Sequence, residues 1–147
     1  MKMLKIKVDT SGIRKSFKKA VQIAENEIDW ESIGIMAKLS IDQNFAQGGR
    51  YQDDKDNPIG GDKKWVPRKE SELNPILDDE GSLRASIYSK SDSKSAKVGS
   101  SGLKYNAAQN YGYPQGGIPA RPFLTIHPDD INKITAQISD AIVKAFE

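Results

Sequence analysis

The chain has 147 residues, 37% hydrophobic and 29% charged, with a net charge of +2 and a mean hydropathy of −0.62. That balance fits one polar domain spanning residues 1–147 with a modest core. The absence of cysteine excludes disulfides, thiolate metal sites and cysteine nucleophiles. No stretch approaches the roughly 18 apolar residues of a membrane span, and a charge of +2 does not by itself argue for a nucleic-acid partner.

The N-terminus sets Leu4, Ile6 and Val8 against Lys5, Lys7 and Asp9. It therefore lacks the continuous apolar run of a signal peptide and reads as a half-buried strand from Lys2 to Asp9. Thr10-Ser11-Gly12 breaks the alternation, with Ser11 as a candidate N-cap. From Ile13 to about Asp29 the apolar positions Ile13, Phe17, Ala20, Val21, Ala24 and Ile28 recur at helical spacing. The other face carries Arg14, Lys15, Lys18, Lys19, Glu25 and Glu27, with the basic residues near the helix start, the less favourable end for cations. A solvated lysine face or an acidic partner would account for this.

Trp30 to Phe45 reads as a second helix, its stripe formed by Trp30, Ile33, Met36, Ala37, Ile41 and Phe45. Ile35 and Leu39 widen the stripe and predict burial on two sides. Asp29, with Ser32 as a rival, is the expected cap, and Gly48-Gly49 the stop. Gln47 to Pro75 is polar and broken by Gly60-Gly61, so a long mobile loop is expected from Asp53 to Lys64, with Trp65 pinning one end. Ser82 to Ser86 predicts a helical turn. Ile87–Lys90 and Ala96–Ser100 predict two short strands, and Tyr105–Tyr111 a short helix ended by Gly112.

Gly112 to Ile126 holds three of the seven prolines. Each proline restricts itself and the residue before it, so the stretch is expected to be extended and stiff. It carries Tyr113, Ile118, Phe123 and Leu124, which suit an anchor within the fold or against a neighbouring subunit. Arg121, held between Pro119 and Pro122, is expected to reach a carboxylate of Asp78, Asp79 or Glu80. Asp129 to Phe146 predicts the clearest helix, with Pro128 at its start. Its stripe comprises Ile131, Ile134, Ile138, Ala141, Ile142 and Phe146.

Catalytic sets are not apparent. His127, the one histidine, sits at a helix start and reads as a surface or capping residue. Phosphate-loop and dinucleotide fingerprints are missing. Asp53, Asp54 and Asp56 lack the glycine and glutamate that complete a calcium loop. No cofactor is expected. The nearest approach to a nucleic-acid patch is Lys63, Lys64, Trp65, Arg68 and Lys69.

Three blocks, in order, resemble a known family. Trp65-Val66-Pro67 precedes Ile76-Leu77, Asp79, Gly81, Leu83-Arg84 and Ser86-Ile87. Val98-Gly99-Ser100 precedes Tyr105-Asn106-Ala107-Ala108-Gln109-Asn110-Tyr111-Gly112. Ile118-Pro119-Ala120-Arg121-Pro122-Phe123-Leu124 completes the set. Together they are similar to the virion-morphogenesis, or tail-completion, family of tailed bacteriophages. Gln109 stands where that family commonly has histidine, and Tyr111 where phenylalanine is commoner.

The resemblance implies a non-enzymatic structural protein of the virion tail or neck, assembled in the host cytoplasm. It would form a homo-oligomeric ring at the head-proximal end of the tail, a hexamer by analogy with tail-tube symmetry, and contact tail-tube and head–tail connector proteins. Sequence-specific nucleic-acid binding is not implied. The expected fold is α+β, a small mainly antiparallel sheet against two or three long amphipathic helices. The expected subunit interface comprises Trp65, Pro67, Tyr111, Tyr113, Ile118, Arg121, Phe123 and Leu124. The alternative is a small nucleic-acid-binding or regulatory protein that uses the basic first helix and the Lys63–Lys69 loop.

Overall fold

The computed structural model describes residues 11–50, 65–66, 76–77 and 80–147. The predicted N-terminal strand, the acidic and basic parts of the long loop, Pro67, Asp78 and Asp79 lie outside them. In order come α1 (Ser11–Glu27), α2 (Trp30–Ala46), α3 (Ser82–Ala85), β1 (Ile87–Ser91), β2 (Ala96–Ser100), α4 (Asn106–Tyr111), a 3-10 turn (Pro114–Gly116) and α5 (Pro128–Lys144). This is a small α+β fold. Among the described residues, its sheet is the antiparallel pair β1–β2, in register from Ile87 opposite Ser100 to Ser91 opposite Ala96.

Local chemistry explains the element ends. Asp29 caps α2 by accepting a hydrogen bond from the Ser32 amide at 3.0 Å, so Ser32 lies inside the helix. Gly48 and Gly49 end α2, their amides donating to the Phe45 and Asn44 carbonyls. Asp92 closes the β1–β2 turn by accepting from the amides of Lys94 and Ser95 at 2.8 and 2.9 Å. Pro128 occupies the first position of α5, and the His127 side chain accepts from the Asp129 amide at 3.3 Å. Ser11 is the first residue of α1 and does not precede it.

Helix α2 is the centre of the fold. One side packs on both strands, another on α5. Ser32 and Ser40 of α2 meet Gln137 and Asp130 of α5 respectively, so the two helices run antiparallel. At Gly34 the strand comes close enough that a Cβ would overlap the Ser89 hydroxyl. A residue with no side chain is what lets β1 lie flush on the helix. Arg84 of α3 grips Asp42 with two parallel hydrogen bonds of 2.6 and 2.7 Å and ties the hairpin's base to α2.

The core cluster is Ile41, Phe45, Trp65, Leu83, Ile87 and Phe123, with Ile76, Leu77, Val98, Leu103 and Leu124 around it. The Phe45 ring meets Trp65 edge-on at 5.7 Å and Phe123 at 5.5 Å. Burying side chains of this size contributes about 1.5–3 kcal/mol each.

Two expectations need correction. Ile35 and Leu39 do not line a second buried side of α2; they are 50% and 57% exposed. The side facing α5 is buried with Ser40 and Asn44, because the neighbouring backbone and charged groups need polar partners there. The stripes of α1 and α5 are also only partly used. α1 packs against α5, yet of its described residues only Ala24 is fully buried, and none of α5 is. Phe17, Val21, Ile142 and Phe146 remain exposed.

Candidate assembly surface

The segment after α4 is a rigid arm, but it is not uniformly extended. Tyr113 and Ile118 exchange backbone hydrogen bonds of 2.8 and 3.0 Å around the 3-10 turn, so residues 113–118 form a tight loop closed at its base. Gly112 makes the entry possible. Its φ is +81°, and a Cβ there would lie 2.9 Å from the Ala120 amide nitrogen. Proline restricts each residue locally, but the amide–carbonyl exchange at the loop's base decides the turn.

From Arg121 onward the arm is held on both flanks by buried asparagines. Asn110 Oδ1 accepts from the amides of Phe123 and Leu124, both at 3.0 Å. Asn44 Nδ2 donates to the carbonyls of Phe123 at 3.0 Å and Thr125 at 2.8 Å. Both asparagines are buried. They supply the hydrogen bonds that neighbouring strands would give in a sheet, so the arm's backbone is satisfied without joining one. The Arg121 amide donates to Gln109 O at 2.8 Å, and Trp65 Nε1 reaches Pro122 O at 3.4 Å.

Beneath the arm lies a buried polar network. Arg50 donates to Asp130 Oδ2 at 2.7 Å, Asn44 Oδ1 at 2.8 Å, Ser40 O at 2.7 Å and Gln43 Oε1 at 3.0 Å. Ser40 Oγ donates to Asp130 at 2.7 Å and accepts from the His127 amide at 3.1 Å. Burial pushes the Asp130 pKa up. Hydrogen bonds from Arg50, Ser40 and Lys133, with the Arg50 charge, outweigh it and hold the carboxyl at about 2. The network joins α2, Arg50 and the start of α5, and through Asn44 it holds the arm just beyond its exposed part. The sequence reading missed Ser40, Asn44, Arg50, Asn110 and Asp130. Ser40 and Asn44, polar residues four apart on the face of an otherwise apolar helix, were the available signal.

The structure divides the predicted interface residues. Phe123 is fully buried, and Trp65 is buried beside it; both are spent on the subunit's own core because they complete the Phe45 cluster. Ile118 and Leu124 are half-buried. Tyr111 and Tyr113 stand out, 76% and 49% exposed, on either side of Gly112. Arg121 Nε donates to the Val66 carbonyl at 3.0 Å, bracing the arm against the chain beside Trp65. Glu80 shares with Arg121 an open cleft of about 380 Å³, also lined by Ile76, Leu77, Tyr105 and Gln109. The exposed part of the arm therefore presents two tyrosines, and Arg121 at its end lines an amphipathic cleft. No group of metal-binding side chains occurs among the described residues, and no described helix is long and apolar enough to cross a membrane.

Comparison with curated proteins finds a relative in the Mu-like prophage FluMu G protein 2 of Haemophilus influenzae. Identity is 36% over 114 residues, covering 74% of this chain and 72% of that protein. No family profile matches the chain, and no solved structure matches it.

Proposed function

The chain belongs to the Mu-like G protein family of phage proteins, and on that footing we propose that it is a structural component of the virion and has no enzymatic role. It completes the tail by forming a homo-oligomeric ring, six subunits by the symmetry usual in tail tubes, at the head-proximal end. There it contacts the tail tube on one side and the head–tail connector on the other.

The observation that carries this reading is the family relationship, which extends over most of both chains. The arm supports it physically. Tyr111 closes α4 and Tyr113 is pinned by its backbone exchange with Ile118, so the backbone that presents the two rings has little freedom left to lose on contact. Exposed tyrosines on a rigid support make effective interface anchors.

Removing the gene from its phage tests the proposal. Full heads and separate tails that fail to join, or tails of uncontrolled length, are expected. Normal joined particles in its absence would overturn it. Electron microscopy of the purified protein with tail tubes should show density at one tube end.

A further inference from the structure

Helix α1 carries its charges against its own dipole. Arg14, Lys15, Lys18 and Lys19 lie in its first half, where unpaired amides favour anions. Glu25 and Glu27 lie in the last turn, where carbonyls favour cations, and Asp29 follows. Among the described residues none of these side chains makes an ion pair. On the same helix Phe17 is 70% exposed and Val21 is also exposed.

These features share a line. Within α1, Arg14, Lys18, Val21 and Glu25 follow one another at spacings of four, three and four, the spacing of a helix seam. The positive end of that seam is matched by a negative end about the same centre. The midpoint between Lys18 and Glu25 lies between Val21 and Gln22, with the basic Arg14 beyond one end and the acidic Glu27 and Asp29 toward the other. A helix with this symmetry complements a copy of itself turned end for end.

We propose that α1 pairs antiparallel with α1 of a second copy across a two-fold axis beside Val21 and Gln22. Lys18 then faces the second copy's Glu25, Arg14 lies toward that copy's acidic end, and Phe17 and Val21 are covered. The arrangement also opposes the two helix dipoles and supplies each helix end with the charge its own sequence withholds. The contact is isologous and closes at two subunits. It is thus separate from the head-to-tail contacts of a ring and does not rest on the tail-completion reading.

Light scattering after gel filtration, together with cross-linking, tests the pair. The wild-type protein should have a dimeric component that weakens at high salt. Lys18→Glu sets like charges together twice per dimer and should raise the dissociation constant about tenfold or more; Lys18→Glu with Glu25→Lys should restore it. Circular dichroism of each variant monitors the fold. Because the chain has no cysteine, Val21→Cys, on the seam beside the axis, should give a disulfide-linked dimer on oxidation. Ser16→Cys, on the opposite face of α1, should not. A wild-type protein that is monomeric at high concentration, or assembles only into larger rings, would overturn the proposal. So would a double variant as weak as the single one, or failure of the Val21→Cys variant to cross-link.

Discussion

Arg50 and Asp130, 80 positions apart in the chain, meet at 2.7 Å with their side chains 9% and 15% exposed. Both also bond groups close to them in the chain, Arg50 to Gln43 and Asn44 and Asp130 to Lys133. Each is committed to the other and to Ser40, which bonds both. A buried charge pair of this kind contributes little net stability relative to apolar residues of equal volume, but breaking it from one side is costly. It therefore fixes the geometry between α2 and α5 more than it stabilises the fold.

Asp130→Ala should destabilise the protein by about 3 kcal/mol, since it leaves the Arg50 guanidinium buried without its carboxylate. Urea unfolding measures this. Arg50→Met with Asp130→Leu should recover much of the loss, because no charge is then stranded.

Acid stability follows from the same carboxyl. Its folded pKa of about 2 lies below the unfolded value of about 3.9. The stabilisation is therefore present above pH ~4 and is lost as pH falls from there through about 2. About 2 kcal/mol is expected from this group over that window. Asp42, whose pKa is lowered by its hydrogen bond from Arg84, acts in the same direction. Unfolding curves of Asp130→Asn should show a shallower acid limb than wild type.

Asn110→Ala should free one end of the arm. The Phe123 and Leu124 amides lose the acceptor they share, at a cost of about 1–3 kcal/mol for stranded buried groups. Their hydrogen exchange should accelerate selectively, while amides within the β1–β2 pair remain protected. Uniform acceleration would show that the asparagine supports the whole domain and not the arm alone.

Gly34→Ala distinguishes packing from helix propensity. Alanine ordinarily favours a helix interior by about 1 kcal/mol over glycine, yet here the added methyl collides with the Ser89 hydroxyl. A net loss in melting temperature is expected, with partial recovery when Ser89→Ala is added.

For assembly, Arg121→Ala removes the hydrogen bond to Val66 and should loosen the arm's exposed half. Helix content should be unchanged by circular dichroism, while completion of phage particles falls. Tyr111→Ala with Tyr113→Ala should have the same phenotype with no change in thermal stability, since both rings are exposed. Wild-type particle yields from both variants would remove the arm from the interface.

Local signals in the sequence determined most of the elements. A period of 3.6 marked α1, α2 and α5, short β-prone runs marked the β1–β2 pair, and Asp29, Gly48-Gly49, Gly112 and Pro128 marked ends within a residue or two, because caps and breakers act through backbone groups only a few positions away. The tertiary structure alone decided what each face touches. Ile35, Leu39 and Phe17 read as core and are exposed, whereas Ser40, Asn44 and Asn110, which belonged to no apolar stripe, are buried. The bonds that hold those polar groups span up to 90 positions, and a buried polar side chain is tolerated only where a distant partner meets it. Periodicity reports which residues share a face of one element. It carries no record of the backbone or charge that another element brings to that face, and here those arrivals formed the polar network under the arm.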